Sequence, residues 1–329
     1  MALTLHPYYV GPRKRLVEAL DKLMPGRMIF IIGPSGVGKT TLRHSVMREV
    51  YGHPKHWPKG KIPAIECSAL LPTESYFSSF SLAKSLLGQL RAPSIRWFDD
   101  ERGKSTLPSD LLDDLARAGD WWAAREGRRL TESDTWNVVA HMLRARDCSV
   151  ISIDQANSFI RNRANKQPTD HTLHLMSFAE EVNISFIMTG VPEVVRMWSI
   201  HSELRRRVDV VWVPPYSERR PQDRQAFATL IRSRASRYPG CDVKSLLRAD
   251  ADMLAATGGT IGELDQLLKR ASLLAAEESA KGVSWSHVER CIYAQNDLET
   301  MWNHIHMFEK AMAAGSTKAR ASQIKEFWE

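Results

Sequence analysis

The sequence is poor in the features that mark several large classes of protein. Of its 329 residues only four are cysteine: Cys67, Cys148, Cys241 and Cys291. They lie far apart, form no C-x-x-C pair and have no histidine at zinc-ligand spacing, so neither a disulfide framework nor a zinc cluster is expected, and the four read as reduced core thiols. Long apolar runs are missing too. Met28–Ile32, and Val208–Val213 with its one Asp, fall far short of the roughly 20 residues that cross a bilayer. The first residues, Met1-Ala2-Leu3-Thr4-Leu5-His6-Pro7, carry neither the basic start nor the sustained apolar core of a signal peptide, and neither end shows a lipidation motif. A cytoplasmic protein without a membrane partner is expected. The excess of charge that marks disordered chains is absent as well: 43% of residues are apolar and 25% charged, the balance of a folded chain.

The length suits one large or two moderate domains, each able to bury a core. Lys and Arg number 45 against 38 Asp and Glu, a net charge of +7, which favours an anionic partner such as nucleic acid. Helix and strand patterns alternate along the chain, as in an α/β fold with a parallel sheet. Five short apolar or β-branched runs are the expected strands: Arg27–Ile32, Lys61–Cys67, Cys148–Asp154, Asn183–Thr189 and Val208–Val213. Between the second and third lies a helical insertion, about residues 70–146, with helices expected over Ser75–Leu90, Ser109–Arg125 and Ser133–Arg144 and a polar interval from Arg91 to Pro108. Two successive prolines, Pro214-Pro215, cannot continue a central strand, so the α/β part is expected to span 1–214. Helices are then expected over Ser217–Arg237, Val243–Ala256, Thr260–Ala280 and Ser284–Asn296, a helical subdomain over 215–296, followed by a last helix and tail over 297–329.

One motif carries chemistry. Gly33-Pro34-Ser35-Gly36-Val37-Gly38-Lys39-Thr40 matches G-x-x-x-x-G-K-[ST] and sits between an apolar strand and a helical segment, the setting of a phosphate-binding loop. Its glycines let backbone N–H groups curl around phosphate at a helix N-terminus, Lys39 supplies a point charge to the β and γ phosphates, and the Thr40 hydroxyl ligates Mg²⁺, with Thr41 beside it. ATP with Mg²⁺ is therefore the expected cofactor. Such a loop needs an acid at the end of a neighbouring strand, and Val150-Ile151-Ser152-Ile153-Asp154 supplies it, making Asp154 the second metal-side residue. Where many such ATPases continue with a glutamate, this chain has Gln155, which orients water but cannot take its proton. Slow hydrolysis is expected. Two readings stay open, a naturally sluggish ATPase acting as an ATP-gated assembly or a glutamate replaced to trap the ATP state; we favour the first.

Thr189, at the end of the fourth strand run, stands at the sheet edge where ligands bind and is a candidate reader of the γ-phosphate; the alternative is a strand-terminal threonine satisfying backbone. Glu203-Leu204-Arg205-Arg206-Arg207 places a basic cluster just before the fifth strand. Either it is a solvated helix face, or one arginine reaches a neighbouring subunit's ATP and stabilises transition-state charge.

This order of parts, followed by a helical lid, resembles the AAA+ ATPases, and within them the TnsC/TniB branch of bacterial transposition regulators. Thr257-Gly258-Gly259-Thr260-Ile261-Gly262-Glu263-Leu264 is similar to that branch's G-G-x-I-G lid segment, with Gly262 where many AAA+ proteins carry a sensor arginine. Val10-Gly11-Pro12-Arg13, ahead of the first helix, resembles the adenine-side segment, although Pro12 departs from the commoner form. By the same comparison Arg207 matches the arginine finger best and Arg206 second. The resemblance covers about residues 6 to 280. It implies an AAA+ P-loop NTPase fold with a five-stranded parallel sheet, helices on both faces and a helical lid. It further implies a homo-oligomer, a ring of six or seven subunits or a helical filament, that encircles target double-stranded DNA and connects a TniQ-type target selector, often CRISPR-associated, to transposase subunits.

A sequence-independent collar on DNA needs basic side chains aimed at phosphates. The insertion offers Arg91, Arg96, Arg102 and Lys104 around Trp97 and Phe98, and Arg125, Arg128 and Arg129 after Trp121-Trp122; that tryptophan pair reads more readily as core or subunit interface than as a nucleic-acid contact. Arg161, Arg163 and Lys166 are a second set or an ordinary solvated loop. The Phe308 region and the end Ile324-Lys325-Glu326-Phe327-Trp328 fit a linear peptide that docks on a partner, or a helix end folded back on the lid. A nucleotide switch or scaffold in defence or secretion, binding protein and not DNA, is the competing function; a helicase-loading ATPase would carry a winged-helix domain larger than the segment after the lid.

Overall fold

A computed structural model describes residues 7–69, 76–91, 93, 97, 131–161, 167–199 and 201–316. Its elements, in chain order, are α1 (Pro7–Asp21), β1 (Met28–Ile32), α2 (Lys39–Tyr51), β2 (Ala64–Ser68), α3 (Ser79–Arg91), α4 (Glu132–Arg146), β3 (Val150–Asp154), α5 (Pro168–Val182), β4 (Ser185–Gly190), α6 (Ser202–Arg205), β5 (Val208–Trp212), α7 (Pro221–Ala235), α8 (Val243–Arg248), α9 (Asp250–Thr257), α10 (Ile261–Glu277), α11 (Trp285–Arg290) and α12 (Gln295–Ser316). Each expected strand is present, with ends shifted by at most three residues. No helix among the described residues is long and apolar enough to cross a membrane.

The chain divides into two compact units, one of residues 1–32 and 38–213, the other of 33–37 and 214–329. The first is built on a parallel sheet in the order β2-β3-β4-β1-β5. Every residue of β1 and β4 is buried, which is why these strands read as continuous apolar runs rather than as alternating ones. The order matters for function: β1 lies between β4 and β5, while β2, its successor in sequence, lies at the far edge. Parallel strands bring their carboxyl ends to one edge, and a crevice opens where the strand order reverses. Asp154 ends β3 beside Ser68 of β2, and Gly190 of β4 pairs with Ile32 of β1.

Helix boundaries departed further from expectation than strands. The expected helix over Val243–Ala256 is two, interrupted at Ala249, and Asp250, which opens α9, accepts two hydrogen bonds from Arg224 at 2.8 and 3.1 Å. The helix expected over Ser284–Asn296 ends at Arg290, residues 291–294 are not helical, and Gln295 opens the 22-residue α12. In the insertion, α4 begins at a capping box: Thr131 Oγ1 accepts from Asp134 N–H, and the Asp134 side chain accepts from Thr131 N–H, a start signal of Thr with an acid three residues on. The helix expected over Ser109–Arg125 lies outside the described residues.

The second unit is helical, with Phe227, Leu230, Ile231, Met253, Leu254, Leu264, Leu268 and Phe308 buried at its centre. The indole N–H of Trp302 on α12 donates to Ala255 O at 3.1 Å, securing the last helix to the end of α9. Of the four cysteines, all free, Cys67 and Cys148 are buried and Cys241 and Cys291 only partly so. The reading of all four as core thiols therefore holds for two. Burial pushes the Cys67 and Cys148 thiols up to about 12, so both stay protonated and unreactive near neutrality.

Candidate functional site

In the first unit the metal-side groups converge. Gly38 caps α2 at φ 95°, a left-handed conformation open to glycine. A Cβ there would also collide with the Tyr9 hydroxyl at 1.6 Å, so buried Tyr9 on α1 closes over the last glycine of the loop. One residue on, Lys39 begins α2 with its ammonium half-buried. Desolvation lowers its pKa to about 8, against the pull of Asp154 in the other direction. Thr40 Oγ1 donates to Asp154 Oδ2 at 3.1 Å, and Asp154 Oδ1 accepts from Gln155 N–H at 2.8 Å. A hydroxyl and a carboxylate in contact are the oxygen donors a hard divalent cation takes, so the residues fit Mg²⁺. Thr41 faces solvent.

Gln155 adopts φ 55°, and its side-chain carbonyl accepts from Ser68 Oγ at 3.1 Å. Its amide is thereby tied to the end of β2, beside Asp154 but with no basic atom to offer a water. Thr189 is fully buried, and its hydroxyl accepts from Arg43 Nη1 at 3.1 Å. It is therefore engaged with a side chain of the interior, not with backbone.

Arg43 is the residue that sequence reasoning missed. On α2, one turn beyond Lys39 and so on the same helix face, it is fully buried. Nη2 donates to Glu66 Oε1 at 2.7 Å and to Asp154 Oδ2 at 3.2 Å. Glu66, itself buried on β2, also accepts at 2.9 Å from His44 Nε2, the donor because a carboxylate only accepts. A lone buried charge costs many kcal/mol. Here a cation and two carboxylates offset one another, at the edge where β2, β3 and β4 end. No local pattern signals this, since the partners are 23, 111 and 146 residues away from Arg43.

In the arginine cluster the structure separates three neighbours. Arg205 donates to Ser199 O at 2.6 and 3.1 Å. Arg207 is half-buried in an ion pair with Glu180 of α5, with Glu203 at 4.0 Å. Arg206 is exposed. Val10 and Gly11 require a correction: they lie inside α1, not ahead of the first helix, because the helix starts at Pro7 and runs through Pro12. A proline near a helix N-terminus removes few intrahelical bonds, and buried Tyr9 anchors the first turns. Both Val10 and Gly11 are exposed.

The second unit holds the rest of the phosphate loop. Gly36, at φ 73°, accepts a hydrogen bond at its carbonyl from Gly262 N–H at 2.8 Å. A Cβ on Gly262 would stand 2.8 Å from Gly36 Cα. Gly33, Pro34 and Val37 are buried here and Ser35 is exposed. The lid segment is itself shaped by glycine: Gly259 sits at φ 63° with its carbonyl accepting from Tyr216 N–H at 2.9 Å.

Of the DNA candidates, Arg91 is half-buried at the end of α3 and Arg161 exposed after β3. Arg96, Arg102, Lys104, Arg125, Arg128, Arg129, Arg163 and Lys166, and the aromatic tail, lie outside the described residues.

The family model described as AAA domain matches residues 23–197, more than half of the chain. The structure is similar to the Walker-type ATPase paby2304 of Pyrococcus abyssi, with TM-score 0.53 and 14% identity over 96% of this chain and 86% of that one. It is also similar to the Aeropyrum pernix ORC2 protein in its ADPNP–ADP complexes, with TM-score 0.56 and 12% identity over 100% of this chain and 85% of that one. No curated protein matches the sequence significantly.

Proposed function

The chain belongs to the AAA domain family of P-loop ATPases, and from that premise we propose that it is a slow, ATP-gated regulator of DNA transposition of the TnsC/TniB kind. In this reading it binds ATP with Mg²⁺ through Lys39, Thr40 and Asp154, assembles as a homo-oligomeric ring or filament on duplex DNA, and links a TniQ-type selector to the transposase. Bound ATP supplies the phosphoanhydride and the negative charge that hold the assembly together. Lys39 pairs with that charge, Asp154 orients the metal side, and Gln155 positions a water without deprotonating it. Hydrolysis is then slow and the ATP state long-lived.

The observation that carries the reading is the bond between Gly262 N–H and Gly36 O. The lid segment Gly258-Gly259-Thr260-Ile261-Gly262 approaches the phosphate loop through the Gly262 backbone, with the Thr260 hydroxyl beside Gly36, where a sensor arginine would need space that Gly36 fills. The net charge of +7 suits a phosphate backbone. For contact with a neighbour's ATP, Arg206 is exposed, whereas Arg207 would first have to leave Glu180.

Negative-stain imaging of the full chain with random duplex DNA, with and without ATP and Mg²⁺, tests the proposal at low and moderate salt. Rings or filaments on DNA only with ATP, weakening steeply as salt rises, are expected. ATP-dependent assemblies indifferent to DNA would overturn the DNA reading in favour of a protein-binding switch.

A further inference from the structure

We propose that Arg43 is a positioning residue of the Mg·ATP site: one buried guanidinium fixes Asp154 of β3, Thr189 of β4 and Glu66 of β2, and so sets the carboxylate that the metal needs. The inference rests on the reading of Lys39, Thr40 and Asp154 as that site.

Besides the nearby charge of Lys39, which bound phosphate would claim, few side chains hold Asp154. Its Oδ1 is tied to the Gln155 backbone at 2.8 Å, and its Oδ2 is shared between Thr40 at 3.1 Å and Arg43 at 3.2 Å. The Thr40 hydroxyl is itself a metal ligand, and once it turns to a cation it can no longer brace the carboxylate. Arg43 is then the remaining side chain on Oδ2. The fork is anchored elsewhere, by Glu66 at 2.7 Å and Thr189 at 3.1 Å, so it does not follow Asp154 as the carboxylate turns. Glu66 has a second duty. Its negative charge offsets the cation beside Asp154, which would otherwise repel an incoming metal, and His44 at 2.9 Å holds its far oxygen. Arg43 Nε meets no acceptor among the described residues, so the guanidinium reaches β2, β3 and β4 through its two terminal nitrogens, with His44 Nε2 3.3 Å from Nη2. A lysine has a single nitrogen and cannot reach three strands at once.

The test compares the full chain with Arg43→Lys, Arg43→Met, and Arg43→Met combined with Glu66→Gln. A fluorescent ATP analogue is titrated onto each, once with Mg²⁺ and once with EDTA, and thermal melting is followed in parallel. Outer partners of metal ligands are worth about 10- to 100-fold in metal affinity, so both single variants are expected to lose at least about tenfold of the tightening that Mg²⁺ gives, while affinity in EDTA changes less than about twofold. The double variant removes the unpaired buried charge and is expected to recover melting temperature but not the response to Mg²⁺. Retention of that response in Arg43→Lys would overturn the geometric role in favour of a bare charge. Its return together with stability in the double variant would show that Arg43 is only scaffolding. If the unaltered chain shows no Mg²⁺-dependent tightening at all, the nucleotide-site reading fails instead.

Discussion

The two units of the chain place their charge differently. In the first, Arg43 and Glu66 are buried against one another beside Asp154. In the second, each ion pair keeps its arginine at or near the surface, as in Arg224–Asp250, Arg290–Glu278 and Arg220–Asp223, although Asp223 itself is buried, and the phosphate loop is met by glycine backbone. Buried charge is costly and is kept where chemistry needs fixed dipoles. Close backbone approach costs only side chains. The first unit is thus organised for electrostatics, the second for fit, and substitutions should respond accordingly.

Removing charge in the first unit should have the largest effect. Lys39→Ala is expected to weaken ATP binding by at least about a hundredfold, the value of a strong charge-assisted bond of about 3 kcal/mol, and to abolish ATP-dependent assembly; calorimetry and sizing read both. Assembly without binding would show that nucleotide is not the glue. Next comes Gln155→Glu, which restores an atom able to take the proton from water. Phosphate release is expected to rise by about a hundredfold, the lower end of general-base contributions. No change would mean that the water site lacks other parts as well.

In the second unit the test is steric. Gly262→Ala drives a Cβ to 2.8 Å from Gly36 Cα, and overpacking of backbone costs about 1–3 kcal/mol. Melting temperature should fall by several degrees and ATP affinity with it, with the Mg²⁺ response intact. A variant as stable as the parent would show that the bond between Gly262 and Gly36 is dispensable.

A smaller effect should follow pH. The lowered pKa of Lys39, about 8, is raised again when phosphate lies beside it, so binding takes up protons. ATP affinity is fully present below pH 8 and declines as pH rises past it, by up to about tenfold per unit. The contribution of Lys39 to folding has the opposite sign: the unfolded chain holds more protons between pH 8 and the ordinary lysine value, so stability without nucleotide rises across that window. Titrations at pH 7, 8 and 9 alongside melting curves separate the two, and parallel trends would contradict the burial of Lys39. Least affected should be Arg224→Ala. Arg224 is exposed while Asp250 is half-buried, and loss of the arginine should leave the melting temperature within about 2 °C; a larger drop would mean that the pair holds the break between α8 and α9.

Much of the fold was legible because its signals are local. A short apolar run between turns marks a buried strand wherever it lies, and all five were found so. The phosphate loop was readable for the same reason, as a spacing, and Asp154 ends β3 as the apolar run before it predicts. Helix ends were less so, because the break at Ala249 coincides with a long-range partner, Arg224, and the start of α1 lies upstream of Pro12. Tyr9 over Gly38 and Arg43 among three strands had no local signal.

By itself, then, the sequence determined the strands, the position of the loop and the Gln155 that follows Asp154, since each is written in neighbouring residues. Only the tertiary structure decided what surrounds them. Strand order β2-β3-β4-β1-β5 brings residues 43, 66, 154 and 189 to one edge, and a charge buried there is stable only because partners from distant segments meet it. The sequence names those charges, but their balance exists only after the chain has folded around them.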